Sequence, residues 1–405
     1  MPNNDPVFAP DGLLCRLAEA YGTPLQVYDR ATLEQQTGKI FQAFAWNSGF
    51  RQYFPIWLCS NPQVLSVILS AGCGLLCSSA AQFRLAALAG AAGDQLLFFS
   101  TAPQPADWQA ALGAGAVIVL DSPEQLAQVP VQAYGSRVLG LGVRPNKGYT
   151  MPGIRQTAML YKFGMTPDAV VSTAAQAARR GFTHFGLYMQ VNANGATPGY
   201  FPGAARFLAK LAAEVYRRTR RPLAWCNLSG GLNERIDLAA EASGVRRTLR
   251  ESGFPEMGIH TALGRFLIAP AGITLARVLG IKTQERNLAV LDVSMAHLPR
   301  LMLPGARYSA TVLGKHGQTD WENYLLSGPL MDKLDTFSGR YILPRMRTGD
   351  ILALHNTGAC CRAMASNYGG ICRCPEVLLD WDGPRLICSG ETQAQWLSGF
   401  PPEGK

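Results

Sequence analysis

Eight short apolar, β-prone runs recur between Phe54 and Leu263, and the stretches between them carry helical spacing. The runs are Phe54–Cys59, Gly74–Ser78, Gln95–Ser100, Ala116–Leu120, Arg137–Val143, His184–Met189, Pro222–Asn227 and Gly258–Leu263. The intervening pieces include Pro62–Ala71, Ala80–Ala89, Ala106–Leu112, Pro167–Arg180 and Ala204–Thr219. Strand alternating with helix points to a parallel sheet, because parallel neighbours need a crossover. Eight such units over this length predict a (β/α)8 barrel of the TIM type. After Ala269 the pattern changes to short β-like runs separated by turn residues: Ile273–Ile281, Leu288–Val293, Arg307–Leu313, Asp350–His355 and Glu376–Trp381. Thr23–Asp29 reads as one more strand. The expected division is a barrel over 30–268 and a β-rich domain, barrel or sandwich, built from 8–29 plus 269–400.

With 405 residues, the chain is long enough for both domains to bury a core. No apolar run is long enough to span a bilayer, and no secretory leader is visible in Met1–Asp5, so a cytoplasmic location is expected and no membrane partner. The net charge of +9 favours anionic ligands. Its densest cluster, Arg217-Arg218-Thr219-Arg220-Arg221, ends a predicted helix, where cations meet the negative end of the dipole. Without a nucleic-acid motif beside it, no nucleic-acid partner is expected. The ten cysteines are expected to be reduced. Neither Cys360-Cys361 nor Cys372-Arg373-Cys374 has zinc-site spacing, so no metal is expected. Cys59, Cys77 and Cys226 fall at predicted strand ends. They could converge with Cys360 on a thiol or soft-metal site, although packing as small hydrophobes is the simpler reading. His297, His316 and His355 read as structural.

Several segments, taken in order, carry a family resemblance over nearly the whole chain. They are Tyr53–Leu65 with its Asn61-Pro62, Val119–Leu126, Val143-Arg144-Pro145-Asn146, Tyr161-Lys162-Phe163-Gly164-Met165, Ser229-Gly230-Gly231-Leu232, Leu263-Gly264-Arg265, Gly328–Asp332, Thr357–Cys360 and Met364–Gly370. This set resembles the fold-type III amino-acid decarboxylases, which use pyridoxal phosphate (PLP) and share their barrel with alanine racemase. The resemblance implies that Gly230, Gly231, Gly264 and Arg265 form an anion cradle at the barrel mouth. It also implies a homodimer in which the loop carrying Asp332 enters the neighbour's site. In the family, a lysine on the first barrel strand holds PLP as an imine and is followed by Ala-Asn-Pro-Asn or similar.

Trp57 stands in place of that lysine. Gln190 stands for the histidine that stacks on the cofactor, Ala262 for the glutamate that pairs with its ring nitrogen, Met331 for the catalytic cysteine and Cys360 for the tyrosine that reaches the phosphate. Leu76 stands for an aspartate. Of the eight lysines, only Lys147 and Lys333 could substitute, and neither is favoured. These losses predict a degraded PLP site, no cofactor, and a PLP-independent pseudo-decarboxylase that binds an amino-acid-like or anionic small molecule or a partner. A repurposed PLP-independent enzyme of amino-acid-derived metabolite biosynthesis is the alternative, and a decarboxylase holding PLP non-covalently is a weaker one. Expected ligand contacts are Trp57, Arg144, Gln190, Gly230, Gly231, Gly264 and Arg265. Asp332, Lys333 and Cys360 are the candidates for new chemistry. Trp57 itself either fills the emptied pocket or stacks on a flat or cationic ligand.

Overall fold

The computed structural model describes residues 8–134, 137–145, 162–190, 197–232, 236–283, 285–303, 306–337 and 339–400. Asn146, Lys147 and Tyr161, singled out above, lie outside them. After β1 (Leu25–Asp29), eight strands close into a parallel barrel. These are β2 (Arg51–Pro55), β3 (Gly74–Cys77), β4 (Leu96–Phe99), β5 (Val117–Leu120), β6 (Val138–Val143), β7 (His184–Met189), β8 (Leu223–Asn227) and β9 (Gly258–Thr261). β9 returns to β2, with Arg51 opposite His260. All four β4 residues, Leu96 to Phe99, are buried, as a strand covered on both faces requires.

Helices α1 (Asp11–Tyr21) and α2 (Arg30–Ala43) flank β1. Between barrel strands run α3 (Pro62–Ser70), α4 (Ala80–Leu88), α5 (Pro105–Gly113), α6 (Val131–Tyr134), α7 (Pro167–Arg179), α8 (Tyr200–Thr219) and α9 (Leu238–Glu251), and α10 (Gly264–Ile268) follows β9. Their ends obey local chemistry. The Thr166 hydroxyl caps α7 at Ala169 N, with Pro167 in the first turn, and the Asp237 carboxylate caps α9 at Ala240 N. Arg217 and Arg218 occupy the last turn of α8, so the basic cluster is a helix end.

A cluster of Tyr53, Leu76, Leu97, Phe99, Val119, Tyr188, Trp225 and Ala262 packs together within the barrel. Trp225 is the largest of these side chains. It lies so close to Gly186 that a Cβ there would stand 2.3 Å from the indole Cε2, so the neighbouring strand must carry glycine.

The second unit contains a mixed sheet built from β10 (Gly272–Thr283), β11 (Asn287–Leu291), β12 (Ala310–Val312), β13 (Trp321–Ser327), β14 (Tyr341–Pro344), β15 (Ile351–Leu354), β16 (Glu376–Asp380) and β17 (Gly383–Cys388), together with β1. The main order is β14-β13-β11-β10-β1-β16-β17. β1 runs antiparallel to β10 and parallel to β16. The compact units are Glu34–Ile56 with Leu65–Phe266, and Met1–Leu33 with Trp57–Val64 and Leu267–Lys405. The segment from Trp57 to Val64 therefore groups with the sheet. No helix among the described residues is long and apolar enough to cross a membrane.

Candidate functional site

The barrel unit contributes a polar end to β8. Side chains alternate along a strand, so Asn227 shares the face of Trp225 and points into the barrel. Asn227 is fully buried, and its Oδ1 accepts a hydrogen bond from Ser229 N at 2.6 Å. That contact fixes the amide orientation and leaves Nδ2 as the donor, and Nδ2 has no partner among the described residues. The chain then turns sharply: Ser229 has φ 73° and Gly231 φ 85°. Ala262 N donates to Ser229 O, and Gly264 N donates to Ala262 O, both at 2.9 Å. Positions 230 and 231 carry no side chain, so a ligand can approach the main chain closely there. Gly264 and Arg265 open the short α10.

Other strand ends supply further polar groups. Gln190 Oε1 accepts from Tyr188 Oη at 2.6 Å, and the Tyr188 ring lies 4.6 Å from that of Phe99. The Asp121 carboxylate accepts from Gly164 N at 2.6 Å. Burial pushes the Asp121 carboxyl above the usual range, against the pull of Gly164 N–H and the Arg144 guanidinium. His260 stacks on Trp225, with centroids 4.5 Å apart. Burial, with Arg51 adding to it, holds its imidazole neutral and down to about 3. Its Nδ1 has no partner among the described residues.

The sheet unit holds the segment that carries Trp57. β2 ends at Pro55, Ile56–Leu58 form a single 3-10 turn, and Asn61 Oδ1 accepts from Gln63 N to lead into α3. Trp57 is 36 % exposed, so the indole is not a buried filler. The sequence reading puts Trp57 at the lysine's place. Counting back from Asn61-Pro62 instead gives Cys59. Neither is an amine. Cys59 is buried, with Sγ 3.7 Å from Tyr28 Oη, and burial pushes its thiol up to about 12. Asn61 Nδ2 donates to the buried Glu376 Oε2 at 2.6 Å, and Arg362 Nε stands 3.7 Å from the same oxygen. Burial raises the Glu376 carboxyl above its ordinary range. Tyr28, Cys59, Asn61, Arg362, Glu376 and Cys388 line a small cavity of about 150 Å³.

Cys360 is buried, has φ 67°, and donates its N–H to Leu58 O at 2.7 Å. Asp332 accepts from Leu334 N at 2.9 Å and from Tyr368 Oη at 2.8 Å. These two bonds hold its carboxyl below the usual range. Lys333 is exposed beside it.

Arg144, Gln190, Gly230, Gly231, Gly264 and Arg265 thus belong to the barrel unit, and Trp57, Asp332, Lys333 and Cys360 to the sheet unit. Cys77 and Cys226 lie on the strand faces opposite Leu76 and Trp225, so alternation turns them out of the barrel. No group of three His, Cys, Asp or Glu among the described residues is placed to hold a metal ion. His297, His316 and His355 contact Ser294, Asp11 and Thr311. The sequence reading missed Asn227, His260 and Asp121. For Asn227 a signal existed, since a polar residue ends an apolar run two positions before Ser229-Gly230-Gly231.

A family model described as pyridoxal-dependent decarboxylase, C-terminal sheet domain, matches residues 25–358. The chain belongs to the pyridoxal-dependent decarboxylase family. It is 31 % identical over 380 residues to Protein TabA of Pseudomonas amygdali pv. tabaci, covering 92 % of this chain and 89 % of that one. It is 30 % identical over 370 residues to diaminopimelate decarboxylase of Deinococcus radiodurans, covering 90 % and 92 %. A crystal structure of M. jannaschii diaminopimelate decarboxylase in complex with L-lysine shares the fold, with a TM-score of 0.89 at 22 % identity, covering 99 % of each chain.

These findings correct two expectations. The substitutions at Trp57, Gln190, Ala262, Met331 and Cys360 predict a chain without cofactor and a PLP-independent pseudo-decarboxylase. Family membership and the similarity to diaminopimelate decarboxylases point instead to a conventional decarboxylase and to PLP. The reason is physical: losing individual contacts does not remove a pocket whose main-chain turn persists. The residues present were tested against the group itself. The Ser229–Gly231 turn is compatible with a phosphate, since Gly230 and Gly231 carry no side chain and their main chain is open to close approach, while the Cβ side of Gly230 is packed on Ala262 O. Neither Trp57 nor Cys59 carries an amine that could hold the aldehyde.

Proposed function

We propose that this protein is a pyridoxal-phosphate-dependent decarboxylase of an amino acid with a second charged group, with meso-diaminopimelate the first substrate to test. The observation that carries the reading is the 30 % identity to a diaminopimelate decarboxylase across nine-tenths of both chains. The intact Ser229–Gly231 turn supports it, as a place for the phosphate. PLP, when bound, supplies the electron sink for the charge left on the α-carbon as carbon dioxide departs. The protein's own part is to bind, orient and exclude water. Gly230 and Gly231 give main-chain access, Arg265 adds positive charge near the turn, and the Tyr188–Gln190 pair fixes a polar group at the end of β7.

The working form is a homodimer. Tyr368 Oη bonds Asp332, and around this contact Met331, Leu334, Met364 and Tyr368 are all exposed. Such an apolar group beside a polar loop suits a second copy of the chain. The test is purified protein supplied with PLP and a panel of meso-diaminopimelate, L-lysine, L-ornithine and L-arginine, read by amine product. L-lysine formed from meso-diaminopimelate supports the reading, and no product from any member contradicts it.

A further inference from the structure

We infer that Asn227 is a ligand-binding residue: its side-chain amide donates a hydrogen bond to an acceptor on the anionic ligand seated on the Ser229–Gly231 turn. This rests on the functional reading above and deepens it.

Three observations converge on Asn227. It is fully buried at the C-terminal end of β8, on the inward face shared with Trp225. Ser229 N donates to its Oδ1 at 2.6 Å, so the amide cannot be flipped and Nδ2 is the remaining donor. Among the described residues, that Nδ2 has no hydrogen-bond partner. A buried donor left unsatisfied is destabilising, so a fold does not retain one without a reason. His260, its register neighbour on β9, presents a second buried atom, Nδ1, in the same condition. The two lie side by side beneath a turn that has no side chain at positions 230 and 231. A hydrocarbon ligand would leave both unpaired, whereas a phosphate, carboxylate or ring oxygen would satisfy the amide.

The same hydrogen bond explains why asparagine serves here. Its carbonyl side holds the turn through Ser229 N while its amino side remains available for the ligand. An aspartate would keep the first contact and lose the second. It would also place a negative charge beside an anion.

The experiment compares wild type with Asn227→Asp and Asn227→Ser, each stripped of bound ligand by dialysis. Calorimetric titration uses PLP and, separately, inorganic phosphate, and thermal unfolding of the ligand-free proteins is recorded alongside. The expected result is that Asn227→Asp unfolds within a few degrees of wild type, roughly the shift that a change under 1 kcal/mol produces. It should bind PLP about tenfold or more weakly, the loss expected for one hydrogen bond to a charged group. Asn227→Ser, whose hydroxyl can still accept from Ser229 N, decides the matter if the aspartate variant does not fold. A folded variant that binds both probes as wild type does would overturn the inference alone. If wild type binds neither probe, the functional reading itself has failed.

Discussion

A Cβ placed on Gly230 would stand 2.0 Å from the carbonyl oxygen of Ala262, closer than any real contact allows. The turn after β8 and the turn after β9 are therefore fitted main chain to main chain, and Ala262 N donating to Ser229 O locks the pair. Gly230→Ala must push the two turns apart. The expected cost is about 1–3 kcal/mol, as for overpacking in a core, together with weaker phosphate binding. Urea unfolding and a phosphate titration check both, and an unchanged midpoint would count against the fitted turn.

His260 gives the stability a defined pH dependence. Its imidazole is held down to about 3 when folded, while in the unfolded chain it titrates near its ordinary value of 6.5. A depressed value means the contribution is fully present above pH 6.5 and is lost as the pH falls toward 3. His260→Phe keeps a ring to stack on Trp225 and removes the titration. The wild type should lose stability relative to this variant on going from pH 7 to pH 4, by up to roughly 1.4 kcal/mol per pH unit. Parallel pH profiles of the two proteins would contradict the assignment.

Two residues compete for the place of the missing lysine, and substitution can separate them. Trp57 lies in the 3-10 turn after β2 and is 36 % exposed, whereas Cys59 is buried with its sulfur toward Tyr28. Trp57→Lys should therefore give a borohydride-trapped PLP adduct that maps to position 57, and Cys59→Lys should give none at 59. The opposite mapping would mean that spacing from Asn61-Pro62 sets the position.

The barrel was legible because each strand is an unbroken apolar run bounded by turn residues, as in Leu96–Phe99. α9 was not: Leu238, Ala242, Val245 and Leu249 keep helical spacing, but Gly244 in its middle lowers helix propensity. The structure shows why the glycine is there: a Cβ on it would meet Pro202 of α8 at 2.4 Å. The candidate site was legible where the main chain makes it, at Gly230 and Gly231. At Asn227 only the polar end of an apolar run marked it, and His260 was not legible, since no sequence shows which buried polar atoms are left without partners. Substituted residues such as Trp57 and Cys360 were plain in the sequence, but they misdirected the reading. They recorded altered contacts and were taken to mean a lost cofactor.

The dimer proposal makes Met331 a sensitive position, because its side chain is fully exposed beside Leu334 and Tyr368. Met331→Asp should shift the protein toward monomer in light scattering and lower its thermal midpoint in a concentration-dependent way, since a bound partner stabilises the folded chain. Wild type that is monomeric at micromolar concentration would contradict the proposal.

The most direct test of the central claim is release of carbon dioxide from carboxyl-labelled meso-diaminopimelate by protein dialysed free of cofactor, with and without added PLP. The account predicts label release that depends on PLP and saturates with it. Release that is absent, or the same without PLP, would contradict it.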